Sequence, residues 1–313
     1  MTAGDGRRFC TSCGTWAAAF RADGKGNPDR GCPGCKSLER HRFLALLVPA
    51  LVARGQVQTA LDVAPTQALA ALVDSLVPHR LGMDFDPSAD GRTVSARASL
   101  THVPLPDGCI DLVLCSHVLE HVPDDRAAMR ELARVLAPTA TGVVVVPRRR
   151  GQPTDEDPSA SPAERVQRFG QADHVRYYGD DFVERLRASG LAYDEVTPQL
   201  LLPEAVWRTC GFMPSETFWL VRRADAGAQA EPMSTGELSG ALLGELMRLF
   251  ADADARHVAA RVAPVAAIAS TSAGARTYLR RARRRYRRLR GPVPVRLARL
   301  GWAGLKKLAA ARR

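Results

Sequence analysis

The stretch from Cys109 to Pro147, CIDLVLCSHVLEHVPDDRAAMRELARVLAPTATGVVVVP, leaves few folds open to this chain. Ile110–Cys115 is apolar apart from Asp111, the pattern of a strand buried on both faces of a parallel sheet. Pro123-Asp124-Asp125 opens a helix with its acids at the positive end of the helix dipole. Met129, Leu132 and Leu136 recur at helical spacing, while Arg126, Arg130, Glu131 and Arg134 point elsewhere. Gly142–Pro147 reads as a second buried strand. Strand, helix and strand in this order form a right-handed crossover between parallel strands. The polar residues after Cys115, His117, Glu120 and His121 among them, then fall at the carboxyl edge of the sheet, where open α/β sheets bind ligands.

Four cysteines near the N terminus impose a second constraint. Cys10-x2-Cys13 and Cys32-x2-Cys35 stand eighteen residues apart. Two tight turns can close four thiolates into the tetrahedral site of structural zinc, with no position left open for a substrate. Redox dithiols are the other reading of such pairs. Seven cysteines, four of them so paired, fit a reducing compartment better than a disulfide framework. MTAGDGRRFCTSCGTW lacks the apolar core of a secretory leader. Phe43–Ala53, the longest apolar run, is too short to span a bilayer. A cytoplasmic location is the expectation. After the cysteines, KSLERHRFLALLVPALV begins a helix with Leu44, Leu47, Val48 and Leu51 on one face, and His41 reads as a packing residue.

Between these landmarks, Thr59–Ala64 reads as a first strand, followed by an Ala64-Pro65-Thr66 turn and a helix over Gln67–Val77. Arg80–Phe85 is a second strand with Asp84 near its end. A carboxylate about twenty residues after the first turn is where nucleotide-binding α/β folds grip ribose hydroxyls, with Asp86 as the alternative. The phrases CKSLERHRFL, VPLPDGCIDLV, CSHVLEHVPDDRAAMRELARVL, TDEDP and FGQADHVRYYG together resemble a bacterial subgroup of class I S-adenosylmethionine-dependent methyltransferases. In that subgroup a four-cysteine knuckle precedes the fold and an Ala-Pro turn replaces the usual glycine-rich motif. The resemblance covers residues 8–223. It implies a Rossmann-like methyltransferase sheet, mostly parallel with the last strand antiparallel, binding S-adenosylmethionine. It places the cofactor against Asp62, Ala64, Pro65, Asp84, Ser99, Leu100, Ser116 and His117. The family often has an acid for the adenine amino group where this chain has Ser99, leaving the Ser99 hydroxyl or the Leu100 backbone for that contact.

Arg148–Asp181 is a long polar insertion. Connections of this length inside a compact domain are functional or disordered, and its first part, Pro153–Pro162, reads as a lid. Its second part brings an acid, an imidazole, a guanidinium and phenols together above the carboxyl edge. Methyl transfer to a hydroxyl or amine needs a base held in line. Asp173, His174 and Arg176 are therefore the catalytic candidates, the other reading being a hydrogen-bonded cluster that ties the loop down. His117 and His121 are left as pocket wall and helix entry. Leu191–Val196 and Thr217–Val221 complete the sheet as an antiparallel pair, and Ala205–Pro214 between them reads as core packing.

Beyond Arg223, ADAGAQAEP is linker-like, and Ser234-x-x-Glu237 is a capping box that starts a helix with Leu238, Leu242, Leu246 and Leu249 on one face. Residues 276–313 carry fifteen Arg or Lys and no acid, so the first 275 residues are net acidic within a chain of net charge +11. This basic tail has an apolar stripe and Trp302, which suit the inner face of an anionic membrane; they also suit nucleic-acid phosphates. The expected organisation is a zinc knuckle over 1–42, a methyltransferase domain over 43–223, a linker and helical extension over 224–275, and a basic amphipathic tail over 276–313. The expected activity is methyl transfer to a small molecule or a cell-envelope glycan or lipid-linked acceptor. The alternative is a nucleic-acid-binding or regulatory protein on a degenerate methyltransferase fold.

Overall fold

The computed structural model describes residues 7–22, 29–55, 57–86, 94–225 and 234–269, with side chains of the last helix described to Asp254. Arg7–Leu249 form one compact unit. It opens with the hairpin β1 (Arg8–Cys10) and β2 (Thr15–Ala17), then α1 (Glu39–Arg54), β3 (Thr59–Val63), α2 (Gln67–Leu76), β4 (His79–Asp84) and β5 (Ala96–Arg97). β6 (Ile110–Ser116), α3 (Asp125–Val135) and β7 (Leu136–Val145) follow. The insertion contributes β8 (Asp155–Glu156), α4 (Pro162–Phe169) and β9 (Arg176–Tyr177). The unit closes with α5 (Phe182–Ala188), β10 (Leu191–Val196), α6 (Pro198–Leu201), α7 (Glu204–Cys210), β11 (Phe218–Arg223) and the start of α8 (Thr235–Ala269).

Seven strands form one sheet in the order β10-β11-β7-β6-β3-β4-β5. β5, β4, β3, β6 and β7 are parallel to their neighbours, while β11 runs antiparallel to both β7 and β10. The antiparallel strand is last in sequence but second from the edge in space. The chain winds outward from β3 to β5, then returns to the other side of β3 as β6. The order reverses between β3 and β6, and ligands of open α/β sheets bind at such a reversal.

The opening stretch folds as its pattern requires. Ile110, Val113 and Cys115 of β6 pack with Met129, Leu132 and Val135 of α3 in the main core. The Asp124 carboxylate caps α3, accepting the Ala127 N–H at 2.8 Å. β7 starts at Leu136, earlier than Gly142, because a register shift opposite Ile110 and Leu112 absorbs the extra residues. Gly142 is required there: a Cβ would lie 2.7 Å from Val221 of β11.

The insertion is folded, not an open lid. Asp155–Glu156 pair with Arg176–Tyr177, Ser161 and Glu164 form a capping box on α4, and Phe169 and Tyr178 are buried. At the far end, the Ser234–Glu237 capping box holds the N terminus of α8. Leu238, Leu242 and Leu246 are buried, and Ser239 donates to the Leu201 carbonyl at 2.6 Å. The basic tail over 276–313 lies outside the described residues.

Gly179 closes the insertion where the main chain of Gln152, Pro153 and Thr154 leaves no room for a Cβ. Gly179→Ala should cost about 1–3 kcal/mol through overpacking, read as a lower urea midpoint at unchanged m-value. An unchanged midpoint would show that this packing is not what holds the insertion.

Candidate active site

β3 and β6 end in unusual turns. Ala64 (φ 51°) and His117 (φ 55°), the residues just beyond these two strands, are both left-handed. Non-glycine residues in that region cost roughly 1–2 kcal/mol, a strain that concentrates at functional sites. Main-chain bonds hold both: Ala64 N–H to Met83 O and His117 N–H to Val145 O, each 2.8 Å. Ala64 adopts the backbone that a glycine would take, with the smallest side chain that still has a Cβ.

A cavity of about 560 Å³ opens at these turns, with Ala64, Asp84, Phe85, Ser99, Leu100, His117, His121 and Asp173 in its wall. Five of the eight residues expected against the cofactor are here: Ala64, Asp84, Ser99, Leu100 and His117. Asp84 ends β4 with its carboxylate oriented by the Asp86 N–H at 3.0 Å. Phe85, an aromatic 70% exposed, was not singled out from sequence, where one apolar residue after a strand is unremarked. The other three expected residues lie elsewhere. Asp62 is a correction: its carboxylate turns to Arg80, 3.6 Å away beneath the sheet edge, and burial pushes its pKa up to about 7. Pro65 is buried in the turn, and Ser116 ends β6 with a buried hydroxyl that has no hydrogen-bond partner. Neither reaches the cavity wall.

A second cavity, about 710 Å³, lies on the other side of His117. Its wall includes Arg40, Arg148, Arg150, Gln171, His174 and Glu216. The Nε atoms of Arg40 and Arg148 are buried without hydrogen-bond partners, and burial draws the Arg40 pKa down. His117 is common to both walls. Its Nδ1 is 3.0 Å from Glu120 Oε1, and its buried Nε2 faces Glu216 at 3.8 Å. Burial disfavours the charged ring, but Glu120 and Glu216 together outweigh it, so the His117 pKa is raised.

The insertion candidates divide. His174 is buried in the wall of the second cavity, and burial lowers its pKa. Asp173 is on the rim, pairing with His121 at 3.2 Å. Arg176 is corrected from catalytic to positioning residue. It is 1% exposed and lines neither cavity. Its guanidinium donates to the carbonyls of Leu119 and Pro123 at 2.8 Å each, to that of Val122, and to Glu156 at 3.2 Å. It thereby fastens the insertion to the turn after β6. Arg185 and Tyr178 extend the network through Glu156 and Asp125.

The knuckle cysteines converge as expected. Cys10 and Cys35 Sγ are 3.6 Å apart, Cys13 and Cys32 Sγ 3.8 Å. A tetrahedron with Zn–S bonds of about 2.3 Å has edges of about 3.8 Å, so these four sulfurs fit zinc. Fully buried Arg42 ties this end to α7, donating to the carbonyls of Arg30, Ser37, Cys210 and Gly211 at 2.6–2.8 Å.

Residues 47–144, from within α1 to near the end of β7, match the family model described as a methyltransferase domain. No curated protein matches the sequence. Among solved structures the chain is similar to a SAM-dependent methyltransferase from Archaeoglobus fulgidus, at 12% identity over 59% of this chain and 92% of that one, TM-score 0.40. It is also similar to one from Mesorhizobium loti, at 17% identity over 56% and 96%, TM-score 0.38. A third is the 1,6-didemethyltoxoflavin-N1-methyltransferase of Burkholderia thailandensis with S-adenosylhomocysteine bound, at 16% identity over 57% and 78%, TM-score 0.39. The architecture is a Rossmann-like methyltransferase fold, and the matched segment contains the strands that build the first cavity.

Removing the Arg176 guanidinium strands the Val122 and Pro123 carbonyls and leaves Leu119 O to the Val122 N–H and Glu156 to Arg185. Arg176→Met should cost about 3–5 kcal/mol, the range for breaking a buried ion pair, measured by urea unfolding. A loss below about 1 kcal/mol, with ligand binding abolished, would restore Arg176 to the reacting centre.

Proposed function

We propose that this protein is a S-adenosylmethionine-dependent methyltransferase acting on a small molecule or cell-envelope glycan. The observation that carries the reading is the pair of cavities meeting at His117: one with the family's cofactor positions, the other polar and rich in arginine. The bound cofactor would supply a methyl group on a sulfonium. Ala64 lets the main chain approach the amino-acid end of the cofactor. Asp84 is the acceptor for ribose hydroxyls, Ser99 and Leu100 the contacts for adenine, and Phe85 an aromatic face beside them. On the opposite side, Arg40 and Arg148 can each give an unused buried N–H to an acidic or phosphate-bearing acceptor. His117, held at Nδ1 by Glu120 with Glu216 facing its Nε2, forms the wall against which an acceptor hydroxyl or amine would lie. His174 lines that side of the site.

Calorimetric titration with S-adenosylhomocysteine tests the reading. The expected result is one site per chain, weakened at least tenfold by Asp84→Ala. No binding, or binding indifferent to that change, would contradict it.

The basic tail supports a second proposal, contact with the anionic inner face of a membrane through 276–313. Among the described residues, no helix is long and apolar enough to cross a bilayer. The full chain should float with vesicles containing phosphatidylglycerol, and the 1–275 truncation should not. Equal flotation would end the proposal.

A further inference from the structure

We propose that Glu120, His121 and His174 form a divalent-cation site, separate from the cysteine knuckle, on the wall between the two cavities. One donor atom from each of the three lies within 4.8 Å of the other two. Glu120 is wholly buried. Its Oε1 takes the His117 ring at 3.0 Å, while Oε2 has no hydrogen-bond partner. A buried carboxylate oxygen without a partner is costly, and a cation supplies one.

The imidazoles are arranged for the same occupant. His121 has Nδ1 engaged by Asp173 at 3.2 Å, which leaves Nε2 as its ligand atom. His174 Nε2 lies 2.7 Å from the Gln171 carboxamide nitrogen; with that amide turned over, its Oε1 accepts the Nε2–H and leaves the lone pair of the buried Nδ1 for the ion. In metal-binding histidines the outer nitrogen donates to an oxygen and the other is given to the ion, as His121 does with Asp173 and His174 does with Gln171 Oε1 in the turned amide. Asp173 also adds a second negative charge beside the site. The two ring planes are nearly perpendicular, with centroids 4.6 Å apart.

The donor set names the class of ion. Two imidazoles and one carboxylate suit Mn²⁺, Fe²⁺, Co²⁺ or Zn²⁺ rather than Ca²⁺ or Mg²⁺, which take oxygen. The all-sulfur knuckle instead selects zinc. Three protein ligands leave further positions open, as catalytic rather than structural sites do. His121 lines the first cavity and His174 the second. An ion here would polarise and orient an oxygen-bearing acceptor beside the methyl donor. That consequence rests on the methyltransferase reading; the binding of the ion does not.

The test is Mn²⁺ titration of the full chain with its knuckle zinc in place, counting free Mn²⁺ by electron paramagnetic resonance. Thiolate sites disfavour Mn²⁺, so the knuckle stays silent. The expected result is one saturable Mn²⁺ per chain, with affinity at least tenfold weaker in His121→Ala and in His174→Ala. Asp173→Asn, on the exposed rim, should weaken it about 10–100-fold without disturbing the fold. Zinc analysis of the same protein should give one equivalent that Cys32→Ser removes. No saturable Mn²⁺ uptake by the unaltered protein, or uptake unchanged in all three variants, would overturn the proposal. S-adenosylhomocysteine binding without Mn²⁺ binding would remove the ion and keep the methyltransferase reading; the reverse result would do the opposite.

Discussion

The site depends on a guanidinium spent on main-chain carbonyls. Arg176 donates to the Leu119, Val122 and Pro123 carbonyls of the turn after β6 and, through Glu156, anchors the paired strands β8 and β9 beside them. The Val175 N–H adds a bond to the Glu120 carbonyl at 2.9 Å. This clasp brings His174, from the insertion, within reach of Glu120 and His121, from the sheet edge. Arg42 does the same work at the other end, joining the knuckle to the C-terminal part of α7 with four carbonyl bonds and its guanidinium over the Phe20 ring. In each case a planar group with five donors closes a seam that no single backbone element could close.

The sheet provides the rigid frame for these seams. Its order reverses between β3 and β6, so the connections leaving these paired strands run in opposite directions and leave a crevice. Both strands end in a left-handed residue. That strain is held by hydrogen bonds from Ala64 and His117 to strand carbonyls, and by β6 and β7 buried on both faces. A strained turn on a stiff support keeps His117 at one place between the two cavities.

Much of this was legible in the sequence. The strand–helix–strand of Cys109–Pro147 read correctly because its apolar pattern depends on burial, and burial follows the period of the element. The cysteine pairs were legible as a cluster, and their four sulfurs do converge, because two tight turns at that spacing bring them to one point. Arg176 did not, because sequence records a charge and not what faces it; a guanidinium bonded to carbonyls looks the same as one bonded to a substrate. Asp62 misled for a related reason: alternation along β3 turns it toward Arg80, but the sequence does not name the partner. Glu120 read only as one of the polar residues at the carboxyl edge, whereas the structure buries it fully. The main chain around it is bonded to Val175 and Arg176, more than fifty residues away, which no local pattern encodes.

Hydrogen exchange of the full chain with and without S-adenosylhomocysteine tests the central claim most directly. The account requires added protection in four segments that are distant in sequence: the turn at 64–67, the end of β4 at 84–86, the segment 98–100 and the turn at 117–122. Protection confined to the basic tail or the knuckle, or none at all, would contradict it.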